Sequence, residues 1–139
     1  MTFASRERLV PAVVLLAACS TQPAIDDRMQ SPLAPAGDVQ RGREVFVSRE
    51  EGHCVVCHEV SGITPTGNVG PSLDHVGSRL TVAQLRLRVA DITRVNPQAA
   101  MPAFHRTERL TRVAAQYQGR TALSGQQVED VVAWLATLR

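Results

Sequence analysis

The chain has 139 residues, 44% hydrophobic and 20% charged, which suits one globular domain and excludes a collagenous or wholly disordered chain. Its 15 basic and 13 acidic side chains, +2 net, are too evenly balanced for a general nucleic-acid binder. Every basic residue is Arg, which removes Schiff-base and P-loop chemistry, since both need the Lys amine.

Met1–Ala18 reads as a lipoprotein signal peptide. Arg6 and Arg8 give a positive start, and Leu9–Ala18 is an apolar run too short to span a bilayer. The run ends Leu16-Ala17-Ala18-Cys19, similar to a bacterial lipobox, in which Cys19 becomes the lipidated N-terminus. The other reading is an ordinary signal with Cys19 incidental. Lipidation accounts for an odd count of three cysteines without a disulfide. Ser20, by resemblance to lipoprotein sorting, favours the outer membrane. Residues 19–36, with three prolines and little apolar periodicity, read as a flexible tether, and residues 37–139 as the folded domain.

Asp38 is placed to cap a first helix over about 39–49, with Gly42 and Phe46 on one face. Next comes Cys54-Val55-Val56-Cys57-His58, the C-x-x-C-H pattern of c-type haem attachment. Two thiols three positions apart reach the two porphyrin vinyl groups from one turn, and the adjacent His58 meets the iron. With aromatics only 4% of the chain, a bulky cofactor also supplies core volume. A thioredoxin-like pair needs a βαβ setting, and none is visible. A zinc site needs a second ligand pair, but the other His are isolated.

Gly70-Pro71-Ser72-Leu73 follows, and the Pro71 carbonyl is a candidate acceptor for the second ring N–H of His58. The glycine-rich stretch before it lacks the G-K-[ST] ending of a phosphate loop. Thr81-x-x-Gln84 reads as a capping box opening a second helix, with Val82, Leu85 and Val89 inward. The segment 96–120 is loop-rich, with room for one short helix. Within it, Met101 precedes Pro102 and is the domain's one Met, the candidate sixth iron ligand. A thioether there raises the reduction potential and suits electron transfer. The alternatives are a gap-filling core Met and a ligating histidine, with His105 ahead of His53 and His75. Ser124-x-x-Gln127 opens a last helix carrying Val128, Val131, Val132, Leu135 and Leu138, with Trp134 on its flank. No segment alternates with strand period, so the fold class is all-α.

These features resemble the class I cytochrome c family: G-x-x-x-F at Gly42 and Phe46, the haem motif, Gly70-Pro71, Met101-Pro102, and Trp134-Leu135 in the last helix. The resemblance implies one covalent haem c and a close crossing of the terminal helices, with Gly42 admitting the approach and Phe46 and Trp134 filling it.

Further stretches resemble the SoxX family, the small monohaem cytochrome subunits of bacterial sulfur-oxidising SoxAX complexes. They are Gly67–Leu73, Val76–Leu80, Gln84–Val89, Asn96–Phe104, Arg106-Thr107 with Leu110–Ala114, and Leu123–Leu138. The resemblance implies haem thioethers at Cys54 and Cys57 and axial ligands at His58 and Met101. It also implies a role in joining thiosulfate to a cysteine of the carrier SoxYZ. The reactive cysteine is expected in a SoxA-type partner, and a soluble cytochrome c or similar acceptor takes the electrons onward. Two features depart from the family: the lipobox, and His105 where a second aromatic is expected after Phe104.

Arg79, after Gly77, has the fork geometry to hold a haem propionate. Residues 79–120 contain eight Arg and two acids, which predicts a positive face for anionic partners, or else an ordinary solvated surface. Two functions remain beside the SoxAX reading at this stage. One is a membrane-tethered electron carrier to a terminal oxidase; the other is a haem sensor, which Met101 as a fixed ligand argues against.

Overall fold

A computed structural model describes residues 26–111 and 113–139. The signal segment and Cys19 lie outside the described residues, as does Arg112. The order is α1 (Val39–Val47), a 3-10 turn (Cys54–Val56), α2 (Val76–Arg79), α3 (Val82–Asp91), 3-10 turns at Ile92–Arg94 and Ala115–Tyr117, and α4 (Gly125–Leu135). No strand occurs among the described residues, so the all-α expectation holds.

The long helices start where the sequence provides caps. Asp38 accepts from the Arg41 amide at 2.7 Å. Thr81 and Gln84, and Ser124 and Gln127, each close a reciprocal capping box. Helix α1 ends two residues short of the expected Arg49. The Ser48 hydroxyl accepts from the amides of Glu50 and Glu51 and turns the chain away.

Helices α1 and α4 cross closely. A Cβ on Gly42 would lie 1.9 Å from the Asp130 carbonyl oxygen, so only glycine fits there. Phe46 and Trp134 fill the crossing, with ring centroids 4.6 Å apart and planes tilted by 47°. Val128, Val131, Val132 and Leu135 are buried beneath them, with Leu85 and Val89 of α3 in the same cluster.

Two expectations need correction. Val82 is 46% exposed, and the buried residues of α3 are Leu85, Arg86, Leu87, Val89, Ala90 and Asp91. The helix is covered on a second side, by part of the supposed tether. Residues 27–33 are docked, not free. The Met29 amide donates to the Ala83 carbonyl at 2.9 Å, and Arg86 donates to the Met29 carbonyl. Asp27 accepts from Gln84 and pairs with Arg88 at 3.1 Å. The Leu33 amide donates to Glu129 at 2.9 Å. Polar bonds of this kind leave no apolar periodicity in a sequence, so the segment resembled a linker.

The same bonds expose charges that the sequence reading missed. Arg86 forks onto Glu129 at 2.7 and 2.9 Å, both side chains being buried. Asp130 is fully buried in α4 and accepts from Arg41, the Asp38 amide and Gln126. Burial opposes charge on Asp130, but these donors outweigh it and hold its carboxyl below the ordinary value.

Candidate haem site

The turn Cys54–His58 is wound tightly. The amides of Cys57 and His58 both donate to the Cys54 carbonyl, at 3.1 and 2.9 Å. It is pinned to α1 by the Gly52 amide, which donates to the Val45 carbonyl. Both cysteines are free thiols and partly exposed. Burial pushes the Cys54 thiol up to about 12, so it is a neutral thiol at pH 7. A C-x-x-C redox pair needs the opposite shift, so the thioredoxin-like alternative has no support here. Among the described residues no group of three or more His, Cys, Asp or Glu is gathered to hold a metal ion.

His58 is held in one tautomer. Its Nδ1 lies 2.8 Å from the Pro71 carbonyl oxygen, as the sequence led us to expect. A carbonyl only accepts, so Nδ1 carries the proton and Nε2 keeps a free lone pair. Gly70 packs flat on the ring: a Cβ there would come within 2.4 Å of His58 Cε1. The loop that carries Pro71 is stitched to the motif by the Gly70 amide on the Cys57 carbonyl and the Leu73 amide on the Glu59 carbonyl. Asp74 accepts from the Ser61 hydroxyl and amide, which hold its carboxyl below the ordinary range.

Arg79 lies at the end of α2 and is exposed. Its Nη2 donates to the carbonyls of Ser72 and Asp74, both at 3.2 Å, and so staples the Pro71 loop. Met101 is half-buried against the same apolar cluster that Cys54 touches, so the fold brings these distant residues to one core. His105 is tied down twice: its amide donates to the Ala90 carbonyl and its Nδ1 to the Leu123 carbonyl at 2.9 Å. His53 and His75 are exposed, in left-handed backbone conformations at φ 55° and 58°.

The residues fit a c-type haem. The donor set offers two free thiols on one turn and a neutral imidazole with its outer nitrogen open. Gly70 keeps space beside that ring which a side chain would fill. A surface groove of about 390 Å³ is lined by Arg41, Glu44, Glu51 and Asp130 among others and contains none of the motif residues.

The expected positive face is thinner than its composition suggests. Of the eight arginines in 79–120, Arg86, Arg88 and Arg106 pair with Glu129, Asp27 and Asp91. Arg94, Arg109 and Arg120 are exposed.

Comparisons with known proteins agree with this geometry. The family model described as Cytochrome c matches residues 39–139. No curated protein sequence matches the chain. Among solved structures, that of SoxXA from P. pantotrophus is similar, with a TM-score of 0.73 and 31% identity. The match covers 81% of this chain and 90% of that one.

Proposed function

The chain belongs to the cytochrome c family as a SoxX-type electron-transfer cytochrome with covalent haem c, and from that premise we propose that it serves thiosulfate oxidation in a SoxAX-type complex. Cys54 and Cys57 would hold the haem as thioethers, and His58 Nε2 and Met101 would ligate its iron. The observation that carries the His58 assignment is the Pro71 carbonyl on its Nδ1, which leaves Nε2 as the nitrogen open to a metal.

The haem supplies one-electron chemistry. The chain would supply it with a soft thioether and an oriented imidazole, a pair suited to electron transfer. Joining thiosulfate to a carrier thiol forms one S–S bond and releases one proton and two electrons. That step needs a reactive thiol. Cys54 and Cys57 are committed to thioethers in this reading and Cys19 to lipid, so any reactive cysteine beside the carrier's own thiol is assigned to a SoxA-type partner. The carrier is SoxYZ, and a soluble cytochrome c or similar protein takes the electrons onward. Arg79 steadies the Pro71 loop through Nη2, and its remaining donors are available to a propionate.

The test is stopped-flow reduction of this haem by thiosulfate and SoxYZ, with and without a SoxA-type subunit. Rapid reduction is expected only with the subunit. Equal rates in both arms refute the SoxAX role and leave a general electron carrier.

The location follows from residues 1–19. We propose a periplasmic protein anchored by lipid on Cys19, with the outer membrane favoured by Ser20. Cys19→Ser should remove the lipid mass and release the protein from the membrane fraction; unchanged fractionation sinks the anchor.

A further inference from the structure

Met101 sits in a segment with few bonds of its own. After α3, the amides of Val95 and Asn96 turn back onto the Ile92 carbonyl, and the Ala99 amide onto Asn96. Among the described residues, backbone amides next donate to backbone carbonyls only at His105. The stretch 100–104 is therefore held at its ends. Phe104 anchors the far end in the core, and His105 bonds to Ala90 and Leu123.

A charged clasp joins the two ends. Asp91, the last residue of α3, is buried. Arg106 Nη1 reaches both of its oxygens, at 3.3 and 3.1 Å. Thr93 completes the cluster: its hydroxyl accepts from Arg106 Nη1 at 2.7 Å and donates to Asp91, whose Oδ1 also takes the Thr93 amide. Arg106 Nε is buried with no partner among the described residues. A guanidinium kept there despite an unmet donor indicates that the Asp91 contact dominates its placement.

We propose that the Asp91–Thr93–Arg106 clasp is a positioning device that keeps the loop carrying Met101 closed, so that the sixth iron position resists exchange with external ligands. The proposal rests on Met101 being that ligand. A thioether is a weak ligand that competes by being held nearby, so its occupancy follows the population of the closed loop. An exogenous base binds with an apparent affinity scaled by the fraction of open loop. Arg106 and Asp91 touch neither haem nor substrate in this account; they act through Met101.

The test uses the oxidised, haem-bound protein with imidazole as the probe. Arg106→Gln and Asp91→Asn should each tighten imidazole binding, read as loss of the sulfur-to-iron absorption band, by about fivefold or more. The double variant should go little further than either single one, since both remove the same clasp. Arg106→Lys keeps the charge but loses the fork, and should fall between wild type and Arg106→Gln. Amide exchange across residues 97–104 should speed up in the same order. A merely structural role lowers the melting temperature and leaves imidazole affinity and exchange at wild-type values, and that result overturns the proposal. If buried Asp91→Asn does not fold, the two Arg106 variants decide. Absence of the sulfur-to-iron band in wild type would instead defeat Met101 as ligand; the exchange measurement still judges the clasp.

Discussion

At the scale of single residues, the His58 imidazole is oriented by a carbonyl. Pro71 accepts from His58 Nδ1 at 2.8 Å, and Gly70 lets the loop lie against the ring. Both sides of this contact were readable from the sequence because the motif and the Gly-Pro pair each carry their chemistry in residue type. Met101 was readable as the one thioether of residues 37–139, although Met29 of the docked segment also packs against the core. The rival ligand His105 donates Nδ1 to the Leu123 carbonyl and keeps Nε2 open, the same arrangement as His58, so this contact does not separate the two candidates. Met101→Ala should abolish the sulfur-to-iron band and lower the potential by on the order of 0.1 V, a fraction of the about 0.8 V that axial ligands span. Redox titration with the far-red spectrum checks both. A band that survives the substitution assigns the sixth position to another residue.

At the scale of elements, capping boxes and the α4 apolar stripe were legible because they are local and periodic. The charges inside the fold were not. Glu129 and Asp130 sit within the stripe Val128–Leu135 and look like its solvent edge, yet both are buried, since Arg86 and Arg41 reach them from other elements. Only tertiary contact distinguishes such a pair from an exposed one. The α1–α4 crossing gives a sharp test. Gly42→Ala gains about 1 kcal/mol of helix propensity. Its Cβ would stand 1.9 Å from the Asp130 carbonyl, and backbone cannot yield as a side-chain tip does. The helices must separate, loosening the Phe46–Trp134 contact, so the net effect should be a loss of about 2 kcal/mol. Thermal unfolding of the haem-bound protein measures it. A melting temperature at or above wild type means that the crossing can widen at no cost.

At the scale of the whole molecule, the question is which surface an electron-transfer partner touches. Composition pointed to the Arg-rich segment 79–120. Three of its arginines are neutralised within the fold, so that segment offers less steering than its count implied. Apolar exposure points elsewhere. Val69 is 75% exposed and Val56 is 43% exposed. Val56 lies inside the haem motif, and Val69 precedes Gly70, whose amide is bonded to the Cys57 carbonyl. Two exposed apolar side chains thus sit on the turn and loop that frame the haem. A partner that excludes water there brings its own centre close to this one. Val69→Glu places a charge where that contact desolvates, so electron transfer with a SoxA-type partner should weaken about tenfold, equivalent to roughly 1.4 kcal/mol. Val82→Glu, on the outer start of α3 and 46% exposed, serves as the control and should leave the rate near wild type. If docking uses the apolar loops and not the exposed arginines, the wild-type rate should change by less than about threefold when salt shortens the screening length to well below 10 Å. Stopped-flow transfer at two ionic strengths measures both effects. A steep salt dependence together with indifference to Val69→Glu would place docking on the exposed Arg94, Arg109 and Arg120 instead of the loops around the haem.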